Sequence, residues 1–363
     1  MKTRLKVVKA ASTAMILVLA LTLIIGCATT ETLTIYHAGS LAVPFKGLGE
    51  EFEATHPTVN VLRESGGSAK MINKSITLEQ AGEKPPDIIA SADYTLIPSR
   101  LYEDGYADWY IAFARNEMVL CYRDGAPYAD AIVNGSRTWY DVLRNEAVSY
   151  GHSNPDDDPC GYRTSMVIQL AQKYYYDEAA NFGLTPDPIA SDLYDALIPG
   201  SEHERGRAGG ISDSRPGGSE EVTRSKEVEL IALLQSRDLD YAFEYRSVAV
   251  QHKLNFIEFK DAINLSQTGE IGSTGITYED FYQEASIEIE IEPGPPATDK
   301  TIKGKSIIYG ITIPNNAQHQ ELAAEFIVFL LSKQELDGQP CIVPPFCDYP
   351  ENLPASIKEA ISS

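Results

Sequence analysis

Two polar turns that each follow a strand-like run and open a helix-like run could hold an anion. They read Leu33-Thr-Ile-Tyr-His-Ala-Gly-Ser-Leu41 and Glu64-Ser-Gly-Gly-Ser-Ala-Lys70, and their key serines are Ser40 and Ser68. The first N–H groups of a helix lack partners and carry a partial positive charge, so a glycine-containing turn ending in serine favours an oxyanion. Either serine alone is also explained as an ordinary N-cap. Two such turns so close in the chain favour oxyanion capture.

Two acidic residues stand at the starts of later helix-like runs. Asp158 precedes Pro159 in His152-Ser-Asn-Pro-Asp-Asp-Asp-Pro-Cys-Gly-Tyr-Arg163, where it fits an N-cap with proline at the first helical position. Glu227 lies in the first turn of a run that Ser225 can cap. Capping explains Asp158, and interaction with the helix dipole explains Glu227, without any ligand. The two carboxylates matter for a site only if the fold brings them together.

The serine turns and the carboxylates make contradictory demands on one ligand. Two unit charges about 4 Å apart at an effective dielectric constant near 20 interact by roughly 4 kcal/mol, so unanswered carboxylates would repel an anion. The tetrahedral oxyanion of a large, high-valent metal removes the conflict, because its oxygens accept hydrogen bonds while its metal takes further hard oxygen ligands. Sulfate and phosphate offer no such expansion. Convergence of Asp158 and Glu227 would therefore select this class of oxyanion.

The elements that would position these residues alternate between strand and helix. Strands are predicted over Thr32–Tyr36, Thr58–Leu62 and Asp87–Ala92. Between them, apolar residues recur at helical spacing from Leu41, and a second helix begins at Ser68. This β-α-β-α-β order predicts an α/β fold with a mainly parallel sheet flanked by helices, and ligands at the carboxyl ends of the strands.

The length of the chain and two long apolar segments predict two lobes. The 363 residues exceed the usual size of a single hydrophobic core. The segment Tyr110–Tyr122 can cross into a second lobe, and Leu239–Tyr245 can begin the return. We expect a first lobe at residues 32–112, a second at 113–245, and a return to the first lobe at 246–363 that includes the C-terminal helix. Two sequential domains without a hinge are the alternative.

The N-terminus predicts secretion and a lipid anchor. Residues 1–26 contain four basic residues and no acid, with an apolar run over Met15–Ile25, which is typical of a signal peptide and short for a membrane span. Leu23-Ile-Ile-Gly-Cys27 resembles the lipobox at which lipoproteins are cut and acylated. Cys27 is the predicted lipidated N-terminus, followed by a tether at residues 27–31. An uncleaved anchor is the alternative, and both place the rest of the chain outside the cytoplasm.

Charge and cysteine content narrow the possible partners. The formal net charge is −22 at pH 7, so nucleic acid is not expected as a partner. Besides Cys27, the cysteines are Cys121, Cys160, Cys341 and Cys347. Outside the cytoplasm a Cys341–Cys347 disulfide is compatible with the spacing, although spacing does not fix the pairing. The chain contains no Cys-x-x-Cys sequence, so the cysteines give no support for a metal site.

The ordered motifs of the chain resemble a known family. From about residue 32 to 335 the chain resembles the archaeal tungstate/molybdate-binding lipoproteins that feed ABC importers. The motifs that carry the resemblance are His37-Ala-Gly-Ser-Leu41, Ser65-Gly-Gly-Ser68, Asp87-Ile-Ile-Ala-Ser-Ala-Asp-Tyr94, Asp158-Pro-Cys-Gly-Tyr-Arg163, Glu227-Val-Glu-Leu-Ile-Ala-Leu-Leu234 and Leu239-Asp-Tyr-Ala-Phe-Glu-Tyr-Arg-Ser-Val-Ala249. The resemblance implies the two-lobed periplasmic-binding-protein (class II) fold, with two α/β lobes joined by a two-segment hinge.

The resemblance also implies which groups hold the oxygens of the oxyanion. The loops of Ser40 and Ser68 would hold oxygen atoms, helped by backbone N–H groups near Cys160 and Gly161. Tyr245 would add its hydroxyl group, although a tyrosine at the interface of the lobes is an equal explanation for that residue. These five positions are the expected oxyanion-binding residues.

The same resemblance assigns a role to the carboxylates. Asp158 and Glu227 match the two carboxylates that complete six-fold oxygen coordination of the metal centre in the archaeal branch, and Glu229 is a rival for Glu227. The chain departs from the family pattern at residues 199–221 and 267–275, which are longer than usual.

The sequence predicts a receptor and not an enzyme. We expect a monomeric, membrane-tethered protein that needs no cofactor, closes two lobes on tungstate or molybdate and delivers it to an ABC permease. A receptor for another oxyanion, such as sulfate or phosphate, is the first alternative. A metal-dependent hydrolase built from Asp156, Asp157, Asp158, Glu227 and His152 is the second, although no hydrolase motif supports it. A structural surface protein is the third.

Overall fold

The computed structural model describes residues 30–145, 147–198, 220–272, 274–292 and 298–362. The predicted signal peptide, the lipidation site Cys27 and most of the 199–221 loop lie outside these residues. Within the described ranges, no helix combines the length and the apolar character that a membrane crossing requires.

Strands and helices alternate along the described chain. The strands are β1 (Glu31–Ala38), β2 (Val59–Gly66), β3 (Ile88–Ser91), β4 (Ile111–Arg115), β5 (Met118–Tyr122), β6 (Ser149–Ser153), β7 (Glu220–Arg224), β8 (Tyr241–Tyr245), β9 (Asn255–Glu258), β10 (Ser286–Glu292), β11 (Thr298–Lys303), β12 (Ile308–Thr312), β13 (Glu335–Leu336) and β14 (Gln339–Cys347). The α-helices are α1 (Ala42–Thr55), α2 (Ser68–Gln80), α3 (Leu96–Leu101), α4 (Ala129–Val133), α5 (Trp139–Leu143), α6 (Pro159–Gln172), α7 (Leu193–Leu197), α8 (Val228–Ser236), α9 (Arg246–Gln251), α10 (Tyr278–Tyr282), α11 (Gln320–Leu331) and α12 (Ala355–Ser362). A 3₁₀ turn at Gly39–Leu41 joins β1 to α1.

The first lobe is built on a seven-stranded sheet with the strand order β13-β14-β4-β12-β3-β1-β2. β1 pairs in parallel with both β2 and β3, which confirms the arrangement predicted from the β-α-β-α-β order. The apolar residues at helical spacing in α1 are buried, and Phe45 and Phe52 pack their rings against Phe326 of α11. The periodicity of α1 therefore marks the face that packs into the core of this lobe.

The second lobe has its own five-stranded sheet with the strand order β7-β6-β8-β5-β9. β6 pairs in parallel with β7 and β8, whereas β5 is antiparallel to β8 and β9. Trp139 of α5 packs its ring against Phe243 and Phe259. Two separate sheets, each flanked by helices, confirm the predicted two-lobed α/β fold.

The lobes are joined where several chain segments meet. β4 belongs to the first sheet and β5 to the second, so the first crossing lies at Asn116. The Asn116 N–H donates to the Ile307 carbonyl at 3.2 Å, and the Met118 N–H donates to the Asn264 carbonyl at 3.0 Å. β9 still pairs with β5 in the second sheet, so the return to the first lobe comes later than the predicted boundary at residue 245. β9 joins the second sheet as an antiparallel edge strand beside β5. Antiparallel neighbours need no long crossover connection, so the chain forms this strand before it returns to the first lobe.

Neither sheet is mainly parallel, which corrects that part of the prediction. β12 is antiparallel to both β3 and β4, and β14 is antiparallel to β4. Parallel neighbours need a crossover connection such as a helix, and the strands beside the hinge pass directly between the lobes without one. The β-α-β-α-β order fixes the direction of only the three strands that it contains.

The Cys341–Cys347 disulfide with which the spacing is compatible is not formed. Both thiols are free, and in β14 these residues lie opposite Ala114 and Ile111 of β4. Their partners are three residues apart on a strand that rises by about 3.3 Å per residue, which places the two cysteines roughly 10 Å apart. A disulfide needs Cα atoms within about 7 Å, so a bridge would require the strand to move.

Candidate functional site

Ser40 lies in the 3₁₀ turn directly after β1, and its side chain is buried. Its Oγ accepts a hydrogen bond from the Tyr309 hydroxyl at 2.8 Å, and the Tyr309 oxygen accepts one from Asn116 Nδ2 at 3.0 Å. The N-cap of α1 is Leu41, without a side-chain capping bond. The N-cap explanation of Ser40 is therefore wrong, and its hydroxyl proton remains available to another acceptor.

Ser68 is the first residue of α2, as predicted. The N-cap of this helix is Gly67, and no side chain caps it. Ser68 Oγ instead accepts a hydrogen bond at 2.9 Å from the backbone N–H of Ala92, directly after β3. Ser68 thus stands at the carboxyl ends of β2 and β3, the edge at which α/β folds bind ligands, with its proton free to be donated.

Asp158 is the N-cap of α6, with Pro159 at the first helical position, which confirms the predicted capping. Its Oδ1 accepts a hydrogen bond from the Cys160 N–H at 3.4 Å. Its Oδ2 accepts one from the Glu227 N–H at 3.0 Å. Asp158 therefore does more than cap its own helix, because it also holds the start of α8 beside the start of α6.

Glu227 precedes α8 and makes no side-chain capping bond. Its side chain is fully buried, and neither carboxylate oxygen has a hydrogen-bond donor among the described residues. A methyl group added to Gly39 would lie 2.9 and 3.0 Å from these two oxygens, so the carboxylate contacts the turn that carries Ser40. The rival Glu229 is exposed. Of the two glutamates, only Glu227 is placed between the lobes.

Cys160 and Gly161 form the first turn of α6. Both of their N–H groups already donate to Asp158, Cys160 to its Oδ1 and Gly161 to its carbonyl oxygen at 3.0 Å. A side chain at Gly161 would collide with the Ser153 carbonyl at the end of β6, so the glycine allows close packing of helix on strand. Donation from these N–H groups to an oxyanion stays a prediction.

Tyr245 ends β8, and its side chain is buried. Its hydroxyl oxygen accepts a hydrogen bond from Arg163 Nη1 at 2.7 Å. Its ring centroid lies 6.1 Å from that of Tyr309, the residue that donates to Ser40. Tyr245 is therefore a tyrosine at the interface of the lobes and also a neighbour of the first serine turn.

The second serine turn lies against the start of α6. A side chain added to Gly67 would collide with the Asp157 carbonyl and would lie 3.2 Å from Asp158 Cβ. The first serine turn meets Glu227 in the same way. The structure therefore brings Asp158 and Glu227 together, each opposite one serine turn. This convergence is the condition under which the sequence predicts the oxyanion of a high-valent metal as the ligand.

Two reciprocal lysine–serine pairs flank these contacts. Lys70 Nζ of the first lobe donates to Ser225 Oγ of the second at 3.2 Å. Lys226 Nζ of the second lobe donates to the Ser65 carbonyl at 3.3 Å and to Ser65 Oγ at 3.4 Å. Ser225 was predicted to cap α8 but makes no capping bond there. It serves instead in a contact between the lobes.

A third carboxylate, Glu244, accompanies the predicted pair. It precedes Tyr245 in β8, its side chain is buried, and neither oxygen has a donor among the described residues. Burial raises the pKa of Asp158, Glu227 and Glu244, and the charge of Asp158 raises those of Glu227 and Glu244 further. Such a group favours an electropositive partner or a proton. The described ranges nevertheless hold no cluster of three or more His, Cys, Asp or Glu side chains arranged for a metal ion.

His37 beside the first serine turn, and His152 and Asp156 of the hydrolase alternative, make other contacts. Burial lowers the pKa of His37 to about 4, so this packed ring is neutral at pH 7. His152 Nε2 lies 2.7 Å from Oε1 of Glu221 on β7. Asp156 Oδ1 accepts a hydrogen bond from the Glu290 N–H at 2.8 Å. His152 and Asp156 are thus engaged with Glu221 and Glu290.

Sequence reasoning missed four residues of the site: Asn116, Arg163, Glu244 and Tyr309. Glu244 carried a local signal, because it is an acid inside the apolar strand β8. Arg163 ended a motif that had already been singled out. Asn116 and Tyr309 are 193 residues apart and gave no local signal, since only the fold brings them together.

Comparison with known proteins identifies the family of this chain. Residues 33–337 match the family described as bacterial extracellular solute-binding protein. An uncharacterized solute-binding protein of Methanoculleus marisnigri is 40% identical over 325 residues, which cover 86% of this chain and 82% of the relative. The molybdate/tungstate-binding protein WtpA of Pyrococcus abyssi is 37% identical over 326 residues, which cover 86% of each chain. The solved structure of the sulfate-binding protein SubI from Mycobacterium tuberculosis has a TM-score of 0.50 at 16% identity, covers 85% of this chain and 87% of its own, and shares the fold.

The matched region contains the whole site, from Ser40 to Tyr309. The relatives confirm the resemblance found in the motifs, and the family consists of binding proteins that act outside the cytoplasm. The chain therefore belongs to the bacterial extracellular solute-binding protein family.

Proposed function

We propose that this protein binds tungstate or molybdate between its two lobes and delivers the oxyanion to an ABC permease. The observation that carries the proposal is the pair of buried carboxylates, Asp158 and Glu227, set opposite the turns of Ser40 and Ser68. A ligand that satisfies both sides must present oxygen atoms to the serines and an electropositive centre to the carboxylates.

The hydroxyl groups of the site support an oxyanion. Ser40, Ser68 and Tyr245 each accept a hydrogen bond from a neighbouring group of the protein. A hydroxyl group has one proton, so an oxygen that already accepts from the protein directs that proton toward another acceptor. Three such donors suit the oxygens of a tetrahedral dianion, and hydrogen bonds to a charged acceptor are the stronger kind.

The carboxylates support a metal-centred oxyanion. Burial raises the pKa of both Asp158 and Glu227, which means that their charged forms are costly without an electropositive partner. High-valent tungsten or molybdenum accepts hard oxygen ligands and can expand from four to six of them. The sulfur of sulfate and the phosphorus of phosphate cannot. The expected result is six-fold oxygen coordination, with Asp158 and Glu227 as the two added ligands.

The molybdate/tungstate-binding relative of Pyrococcus abyssi supports this choice of ligand. We expect Cys27 to carry a lipid that holds the protein, as a monomer and without a cofactor, on the outer face of the cell membrane beside its permease. A ligand that touches both lobes binds the closed form preferentially, and closure would present the loaded protein to the permease.

Titration calorimetry of the purified full chain in detergent tests the proposal. Tungstate, molybdate, sulfate and phosphate are titrated in turn. One-to-one binding of tungstate or molybdate without binding of sulfate supports it. Binding of sulfate or phosphate alone would still support a receptor for oxyanions but would contradict a metal-centred ligand. Asp158 would then act only as a helix cap.

A further inference from the structure

We propose that Arg163 is a positioning residue for the oxyanion: it fixes the Tyr245 hydroxyl as a donor and links it to Ser68 in the opposite lobe. The inference rests on the proposed function, because it takes Ser68 and Tyr245 as ligand-binding hydroxyl groups. Arg163 lies on α6 of the second lobe, and its side chain is only 1% exposed.

A chain of three hydrogen bonds connects the two hydroxyl groups through Arg163. Its Nη1 donates to the Tyr245 hydroxyl oxygen at 2.7 Å and to the carbonyl oxygen of Ala92 at 2.9 Å. Ala92 belongs to the first lobe, and its N–H donates to Ser68 Oγ at 2.9 Å. Ala92 thus holds Ser68 with its N–H group and accepts the hydrogen bond of Arg163 with its carbonyl oxygen.

The direction of these bonds is fixed by the chemistry of the donors. A guanidinium group has five N–H donors, no acceptor, and remains charged in proteins. Tyr245 can therefore only accept from Arg163, and its single hydroxyl proton is left for the ligand. The backbone N–H of Ala92 imposes the same direction on Ser68. Both hydroxyl groups are committed as donors, which an oxyanion without a proton requires.

The charge of Arg163 is balanced from the first lobe. Its Nη2 lies 3.8 Å from Asp93 Oδ2, which also accepts a hydrogen bond from the Tyr162 hydroxyl at 2.6 Å. The other oxygen of Asp93 lies 3.0 Å from Lys305 Nζ. The side chains of Arg163, Asp93 and Tyr162 are buried, whereas that of Lys305 is 21% exposed. A buried charge without its partner is strongly unfavourable, so Asp93 keeps Arg163 in place.

The contacts of Arg163 also depend on the distance between the lobes. Its bonds to Ala92 and Asp93 join the second lobe to the first, whereas its bond to Tyr245 stays within the second. When the lobes approach, Arg163 is seated against the first lobe and Tyr245 is oriented through it. Closure of the lobes and orientation of the Tyr245 hydroxyl group consequently occur together.

A double-mutant cycle tests this inference on the full chain, with tungstate as the probe and calorimetry as the measurement. Arg163→Met is measured in the wild-type background and in the Tyr245→Phe background. We expect Arg163→Met to weaken binding about 10- to 100-fold in the first, as expected for loss of a hydrogen bond to a charged group, and less than about 3-fold in the second. Equal losses in both backgrounds, or no loss in the first, would overturn the inference.

Two further variants keep the test decisive. Arg163→Lys retains the charge and a donor and should recover part of the affinity; it replaces Arg163→Met in the cycle if the methionine variant does not fold. Arg246→Met is the matched control, since Arg246 follows Tyr245 but pairs with Glu117 at 3.2 Å and is 38% exposed. It should change the affinity by less than about 2-fold. Wild-type protein that binds neither tungstate nor molybdate would reject the proposed function itself, whereas normal wild-type binding with an additive cycle rejects only the role of Arg163.

Discussion

The face that the first lobe turns toward the cleft differs in chemistry from the face of the second. The first lobe contributes Ser40 and Ser68, whose oxygens already accept hydrogen bonds and whose protons can be donated. The second lobe contributes Asp158, Glu227 and Glu244, of which the two glutamates have no donor among the described residues. The first face offers donors alone, whereas the second adds three carboxylates to its own donor, the Tyr245 hydroxyl, so neither a simple anion nor a simple cation would suit both faces.

The strongest test of this difference neutralises the acceptor face. Asp158→Asn keeps the cap of α6, and Glu227→Gln keeps the volume of the side chain, but each removes a charge. We expect each to weaken tungstate binding by more than about 100-fold in calorimetry, because a ligand to the metal centre is lost. Glu229→Gln is the matched control, since Glu229 is exposed two residues away and should have no effect. Unchanged affinity in both variants would refute the account.

The contact between the two faces can be widened without substituting any of the proposed ligands. Gly39→Ala places a methyl group 2.9 Å from Glu227, and a crowded contact of this kind keeps the lobes apart. We expect the affinity for tungstate to fall about 10-fold. The control is Gly47→Ala in α1, where the nearest atom to the new methyl group lies 4.0 Å away. Equal affinity of the two variants would mean that the faces need not approach so closely.

The pH dependence of stability measures the strain on the acceptor face. The folded-state pKa of Glu244 is raised above its unfolded value near 4.3, first by burial and then by Asp158. The folded chain therefore holds this proton more tightly, and that contribution to stability is full below the unfolded pKa and is lost as the pH rises through the folded pKa.

We expect the free energy of unfolding of the ligand-free protein to fall over that range, and Glu244→Gln to reduce the slope. Urea unfolding at a series of pH values measures the slope. Glu258→Gln on β9, which lies on the other side of β5 from Glu244, is the exposed control and should leave it unchanged. An identical slope in wild type and Glu244→Gln would show that the carboxyl group does not retain its proton.

The smallest expected effect is at the rim of the cleft. Lys70→Met and Lys226→Met each remove one hydrogen bond between the lobes. Because both lysines are at least partly exposed, we expect tungstate affinity to fall only about 2- to 5-fold. Lys46→Met is the control, since Lys46 pairs with Glu50 on its own helix. A loss as large as that of Glu227→Gln would move the main source of affinity from the carboxylates to the rim.

Local features of the site could be predicted from the sequence. The start of α2 at Ser68 and the N-cap of α6 at Asp158 depend on residues next to each other in the chain, and both are found where expected. The parallel pairing of the first three strands follows from the helices between them. Patterns of this kind depend only on residues that are close in the sequence.

The partners of the site residues could not be predicted in the same way. Tyr309 and Ser40 are 269 residues apart, and Arg163 and Tyr245 are 82 apart, so their bonds exist only because the fold brings distant segments of the chain together. The capping expected of Ser225 failed for the same reason, because a lysine from the other lobe engages its hydroxyl group. Long-range contacts also set the antiparallel strands beside the hinge.

X-ray absorption at the tungsten edge of the tungstate-bound full chain tests the central claim most directly. The account predicts six oxygen neighbours around tungsten, four from the oxyanion and one each from Asp158 and Glu227. Four equivalent oxygens in a regular tetrahedron would contradict it, because the carboxylates would then lie beside the ligand without binding its metal.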